Sequence, residues 1–267
     1  MIETTLRRRS SGSGALVRAP IEGWGAATTW GKFAGAALLL SAFTLRERAA
    51  RDPLLPLDVL RIRGLEAANL TGLVGFAGML AMFFFLTLYM QTVLGYSPFA
   101  AGAAYLPLTF AIGISAGIGA KLIGRFGTRP AICAGAVIAA AGMFYLARVP
   151  VHGHYLPNIL PGLLLFAAGV GPVFVGVTSA ANAGASAERA GLVAAILNAA
   201  QQIGGALGLA IFSAVATSRT AHLLAAGTNL HAAATSGYHR AFLIGGLLAL
   251  AAAVISLRTV NTHHAEM

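Results

Sequence analysis

Three side-chain amides, Asn198, Gln201 and Gln202, stand in the first half of the apolar stretch LNAAQQIGGALGLA, residues 197 to 210. Gln91, in LYMQTVLGYSP, is a fourth of the same kind. A carboxamide both donates and accepts hydrogen bonds and does not titrate near neutral pH. The chemistry on offer is therefore recognition rather than proton transfer. At 100° per residue, Asn198, Gln202 and Gly205 share one stripe of a helix, and Gln201, Gly204 and Gly208 share the adjoining one. Two roles fit. The amides can bond across to a neighbouring helix while Gly204 and Gly208, spaced G-x-x-x-G, let two backbones touch. Alternatively they line a central cavity and present hydrogen bonds to a cargo. The cavity role is expected for Asn198 and Gln202, whereas Gln201 and the two glycines fit either.

Other reactive-looking patterns fail on context. Residues 113 to 117 read Gly-Ile-Ser-Ala-Gly, the nucleophile-elbow pattern, but that motif needs a strand-to-helix turn and a nearby histidine. The stretch GAATTWGKF, 25 to 33, imitates a phosphate loop with one residue too many between its glycines, and Phe33 stands where a magnesium-binding hydroxyl belongs. Cys133 is the single cysteine, so neither an internal disulfide nor a cysteine metal cluster can form. No catalytic set, metal site or cofactor is expected.

The elements that position the amides follow from composition. The 267-residue chain is 57% hydrophobic and 10% charged, which is not the balance of a water-soluble globule. Runs long enough to cross about 30 Å of hydrocarbon occur near 26–45, 67–94, 98–120, 131–148, 157–178, 191–213 and 240–257. The expected fold is thus an all-α, polytopic membrane bundle of seven transmembrane helices. All 8 carboxylates and all 7 histidines fall in or beside the connections, and apart from the terminal residues Arg148 and Arg240, Lys32 is the one charge inside a span. A low-dielectric slab demands that segregation. The net charge of +10 then belongs with lipid headgroups; scattered over short connections without interleaved aromatics, it is no nucleic-acid footprint. A retinal protein is excluded because the last span has no Schiff-base lysine. The short connection GYSP leaves little room for a receptor ectodomain.

Basic residues in short loops stay cytoplasmic. One side collects Arg46, Arg48, Arg51, Arg61, Arg63, Lys121, Arg125, Arg129, Arg189 and Arg258; the other has Arg148, Arg219, Arg240 and the leader's Arg7, Arg8, Arg9 and Arg18. The carboxyl terminus is expected in the cytoplasm and the amino terminus outside. Trp24, Trp30, Tyr96, Tyr145, Tyr155 and Tyr238 then fall near outer span ends. The basic leader disagrees, so residues 1–14 are either non-native or followed by a span that inserts poorly. No small-residue site closes FAGAALLLSAFTL as a signal peptide would. Pro53 and Pro56 stiffen the elbow 46–64, and the connection 214–239 reads as long and polar. Small and helix-bending residues recur: Gly113 and Gly117 in the third span, and Pro161, Gly171 and Pro172 in the fifth, fit close packing or a hinge.

Taken in order, EGWG, PLLPLDVLRIRG, LYMQTVLGYSPFAAGAAYLP, GRFGTRP and ERAGLVAAILNAAQQIGGALGLAI resemble the C-terminal half of a fourteen-span drug:proton antiporter of the major facilitator superfamily, the EmrB/QacA type. The resemblance implies that the seven spans correspond to the eighth to fourteenth of such a transporter. It divides the chain into a leader (1–25), a single span with a basic cytoplasmic loop (26–66), a six-helix C-terminal bundle (67–258) and a cytoplasmic tail (259–267). It also implies rocking of that bundle around a midplane site for a small amphipathic substrate. Leu122, Arg125, Gly127 and Arg129 match the family's cytoplasmic signature loop, but Gly124 replaces its aspartate, so a basic turn facing the membrane is expected instead of a gate. The N-terminal bundle with its intramembrane acid has no counterpart, so export is expected to need a missing or separate N-terminal half. The rivals are a non-transporting remnant and a membrane interaction partner of a full-length transporter.

Overall fold

A computed structural model gives the fold of residues 64–183, 185–186 and 188–262, together with Gly35, Leu38, Leu39, Ser41, Ala42, Thr44, Leu45 and Arg46, which are helical. The expected leader, residues 47–63 of the elbow and most of the first span lie outside the described residues. The chain divides into two units, Met1–Leu57 and Asp58–Met267. The second unit carries the fold described below.

It is all helix among the described residues. Helix α1 is Leu65–Leu88, continued by a π-helical turn over Tyr89–Val93; α2 is Pro98–Ala103 and α3 Leu106–Phe126. Helix α4 is Thr128–Leu146; α5 is Leu160–Asn182, preceded by a π-helical turn over Tyr155–Ile159; α6 is Ala190–Ala225 and α7 Leu230–Ser256. Six stretches are long and apolar enough to cross a membrane: Leu65–Val93, Pro98–Phe126, Thr128–Leu146, Tyr155–Asn182, Ala190–Ala225 and Leu230–Ser256. Gly64, Gly127 and the tail lie at one end of the bundle, here the turn end. The connections 94–97, 147–154 and 226–229 lie at the other, the hairpin end.

Local chemistry explains the breaks. Ser97 caps α2, its Oγ accepting from Ala100 N at 3.2 Å, with Pro98 in the first turn. Asn229 caps α7, its Oδ1 accepting from Ala232 N at 2.8 Å. Gly127, at φ 89°, separates α3 from α4 by itself. That left-handed backbone admits glycine readily and little else.

Three expectations need correction. The segment 214–239 is not a long polar connection: α6 runs on to Ala225 and α7 starts at Leu230, so the link is 226–229. Its scattered alanines and polar residues keep helical propensity while diluting hydropathy, which masked both helix ends. In consequence His222, His231 and His239 sit on helices. The signature-like segment 120–129 is likewise no loop, since α3 and α4 absorb all of it but Gly127. Finally, Pro161 does not interrupt a helix interior. It lies in the first turn of α5, and the carbonyl of Pro157, four residues back, accepts the Tyr145 hydroxyl at 2.5 Å.

Glycine-lined interfaces hold the bundle, two of them between helices that run the same way. On α6, a Cβ at Gly204 would collide with the Leu73 backbone of α1, and one at Gly208 would lie 2.6 Å from the Ala77 Cβ. On α3, a Cβ at Gly119 would lie 2.7 Å from the Cα of Pro172 in α5, and Gly171 backs onto Ser115 and Ala116. Ser115 Oγ donates to the Ala167 carbonyl at 2.7 Å across the same contact. Such close backbone approach is how helices associate where water gives no hydrophobic drive. One apolar core around Phe85, Tyr89, Phe166, Phe212 and Phe242 fills the hairpin half, and a smaller one around Leu65, Ile132, Val177 and Leu197 fills the turn half.

Candidate functional site

Helix α6 positions the amides. Asn198 and Gln202 point away from the rest of the bundle on an open face shared with Ile203, 54% exposed, and Leu207, 43% exposed. Gln201 turns inward and is half-buried, its Cγ facing Gly72 of α1. None of the three makes a side-chain hydrogen bond among the described residues. The bond to a neighbouring helix that one reading of the sequence offers is therefore not formed in this arrangement.

Gln201 lines a cavity of about 60 Å³ between the two apolar cores, walled by Phe76 and Met79 of α1, Met143 of α4, Phe166 and Val173 of α5 and Gly245 of α7. The second hydroxyl or amide side chain in that wall, Thr71, already donates to the Ala67 carbonyl at 2.7 Å. The space admits a few waters. A drug-sized ligand needs roughly 300 Å³ or more, so this cavity is too small for one as it stands.

The structure does not gather all four amides. Gly72 marks the height of Gln201 on α1, and Gln91 lies 19 residues further along, a rise of roughly 28 Å. Gln91 therefore sits in the π-helical turn at the hairpin end, half-buried. Gly113 and Gly117 are on the open face of α3 with nothing within 4 Å of an added Cβ. The close packing expected of them is made by Ser115 and Gly119 on the opposite side of the same helix, because the period of 3.6 carries alternate small residues to opposite faces.

Leu122 and Arg125 lie exposed on the last turns of α3, with the Arg125 guanidinium 5.2 Å from the Phe126 ring centre. Gly127 is buried, and Arg129, though exposed, is held by the chain's own tail. The tail after α7 crosses the α3–α4 turn: Thr128 Oγ1 donates to Val260 O at 2.6 Å, Arg129 N to Asn261 Oδ1 at 3.1 Å and Arg129 Nε to Thr259 O at 2.5 Å. A Cβ at Gly127 would meet the Asn261 side chain, a second reason for glycine there.

At the hairpin end tyrosines tie connections to helices. Tyr89 donates to Pro150 O at 2.6 Å, Tyr155 to Ala104 O at 2.6 Å, and Tyr105 to Phe83 O at 3.0 Å. His239 Nε2 lies 2.7 Å from Val149 O. Sequence reasoning placed Tyr155 near a span end but carried no sign of its partner, because these contacts join residues tens of positions apart.

The described residues hold no group of three or more histidine, cysteine or carboxylate side chains placed for a metal. Of the carboxylates only Glu66 and Glu188 are among them, both at the turn end. Within the described membrane-crossing helices the one carboxylate is Glu66, in the first turn of α1, and the histidines are His222, His231 and His239, toward the hairpin end of α6 and α7.

Comparison with known proteins gives this architecture a family. The Major Facilitator Superfamily profile matches residues 12–209. The chain is 37% identical over 228 residues to the puromycin resistance protein pur8 of Streptomyces alboniger, covering 84% of this chain and 44% of that one. It is 33% identical over 205 residues to the tetracenomycin C resistance and export protein of Streptomyces glaucescens, covering 76% and 38%. With the cephamycin export protein CmcT of Amycolatopsis lactamdurans it shares 34% over 202 residues, 74% of this chain and 41% of the relative. The chain thus spans less than half the length of these relatives. Six apolar helices packed through glycine contacts and a profile match over most of its length place this multi-pass membrane chain in the major facilitator superfamily of transporters.

Proposed function

We propose that this chain supplies the C-terminal bundle of a fourteen-span exporter for small amphipathic compounds, working by alternating access against an N-terminal bundle carried on the same or another polypeptide. The observation that carries the reading is the open face of α6, where Asn198 and Gln202 stand exposed on an otherwise apolar helix without partners. Carboxamides turned toward lipid would lose their hydrogen bonds to water, at a cost of about 1–3 kcal/mol each. A facing bundle and the wet cleft between the two would satisfy them. The small cavity around Gln201 supports the same division, since cargo too large for the bundle interior must be held on its face.

In this reading Gly113 and Gly117 give α3 a smooth surface toward the opposing bundle, and Pro172 beside Gly119 is the point at which α5 can bend. The turn end faces the cytoplasm, where Lys121, Arg125 and Arg189 meet anionic headgroups. Proton coupling comes from the other bundle, because the described helices of this one carry no titratable carboxylate in their middle thirds.

The test joins this chain to an N-terminal bundle of a related exporter and compares Asn198→Ala with Gln202→Ala against the parent. A changed substrate profile at unchanged membrane level is expected. Reduced membrane level with an intact profile would contradict the reading, as would proton-dependent efflux by this chain reconstituted alone.

A further inference from the structure

Two guanidinium groups and an imidazole converge on one groove at the hairpin end, between α6 and α7. The groove is lined by Ala214, Val215, Ser218, Arg219, His222 and Arg240. Arg219 Nε donates to Ser236 Oγ at 3.1 Å, which fixes the plane of the guanidinium and leaves its terminal nitrogens without partners among the described residues. Arg240 and His222 are exposed and likewise unpaired. Among the described residues no carboxylate is near, since Glu66 and Glu188 are at the opposite end.

Depth says what neutralises them. Gly208 packs on Ala77, close to the middle of the span Leu65–Val93. Arg219 follows 11 residues later, roughly 16 Å from the midplane at 1.5 Å per residue, and half the hydrocarbon thickness is about 15 Å. Gly245 of α7 lies beside the Gly78 carbonyl, also near the middle, so Arg240 starts roughly 8 Å out. Side chains lean toward the N-terminus of their helix, so Arg240 leans outward toward the surface and Arg219 inward to meet it. Their charges therefore meet at the base of the headgroup layer, in a groove on the flank of the α6–α7 hairpin.

We infer that this groove binds the phosphodiester of an anionic phospholipid in the leaflet at the hairpin end. A phosphodiester accepts paired hydrogen bonds from guanidinium groups and has its acyl chains where the groove meets hydrocarbon. Ser218 and the imidazole of His222 add donors at the rim. The inference rests on the membrane placement of the bundle and not on the export reading.

Lipid retention by the whole purified chain, read by native mass spectrometry from detergent, tests it. Phosphatidylglycerol should be retained in preference to phosphatidylcholine, and equimolar inorganic phosphate should not displace it. Arg219→Gln or Arg240→Gln should weaken retention about five-fold each, and both together about thirty-fold. Arg240→Lys, which keeps the charge but not the paired hydrogen bonds and serves if the double variant fails to express, should weaken retention less than Arg240→Gln does. Equal retention of both lipids, an undiminished double or single Gln variant, or displacement by phosphate would each overturn the proposal. Transport is not read, so failure of the export reading would appear only in efflux assays.

Discussion

The two faces of α6 have the same helical backbone and opposite chemistry. Toward α1 the helix removes side chains, so that Gly204 and Gly208 rest on Leu73 and Ala77. On the open side, a broad half of the helix, it keeps side chains the bundle does not use: Asn198 and Gln202 along one border, with Ile203 and Leu207 further round. Helix α3 repeats the division, with Ser115 and Gly119 pressed on α5 and Gly113 and Gly117 facing nothing. The lesson is that on α3 and α6 small residues hold the bundle together from one side of the helix, which frees the other side to be shaped by what it meets outside.

Substitutions should separate the faces. Gly204→Leu drives a side chain into the Leu73 backbone, which cannot yield as a side chain can, and should cost more than the ~3 kcal/mol upper range of ordinary overpacking. The expected result is loss of folded protein from detergent-solubilised membranes. Gly119→Ala brings a methyl 2.7 Å from the Pro172 Cα and should lower stability by about 2 kcal/mol in a detergent unfolding titration, whereas Gly113→Ala, in open space, should not lower it. Ser115→Ala deletes the bond to the Ala167 carbonyl and should cost about 0.6 kcal/mol in the same titration. Smallest is Asn198→Ala with Gln202→Ala, expected within about 0.5 kcal/mol of the parent; a larger loss would assign those amides to packing.

Much of this was legible in the sequence, for physical reasons. Apolar runs longer than a bilayer is thick are spans, and the helical wheel of 197–210 separates Gln201, Gly204 and Gly208 from Asn198 and Gln202 as the fold does, although Gly205, on the amides' stripe, is buried against Phe76 and Leu80. The α6–α7 hairpin was not legible, because His222, Arg219 and His231 lower hydropathy without breaking helix, and hydropathy was the signal being followed. For Gly113 the partner was not legible, since a glycine's spacing says that a helix has a small face and not which neighbour reaches it. Placing Gln91 with the α6 amides failed for a simpler reason: chemical likeness carries no height, and the rise along α1 sets them at different levels. The hold of the tail on Thr128 and Arg129 depends on residues 130 or more apart, which no local pattern encodes.

Water access to the open face of α6 tests the central claim most directly. With Cys133 replaced by serine, single cysteines at Asn198, Gln202 and the exposed Leu247 of α7 would be exposed to a membrane-impermeant maleimide in cells carrying the chain joined to an N-terminal bundle. The account predicts labelling at 198 and 202, slowed by an exported compound, and none at 247. Absence of labelling at 198 and 202 alongside full membrane insertion would contradict it, because those positions would then face lipid or a dry contact.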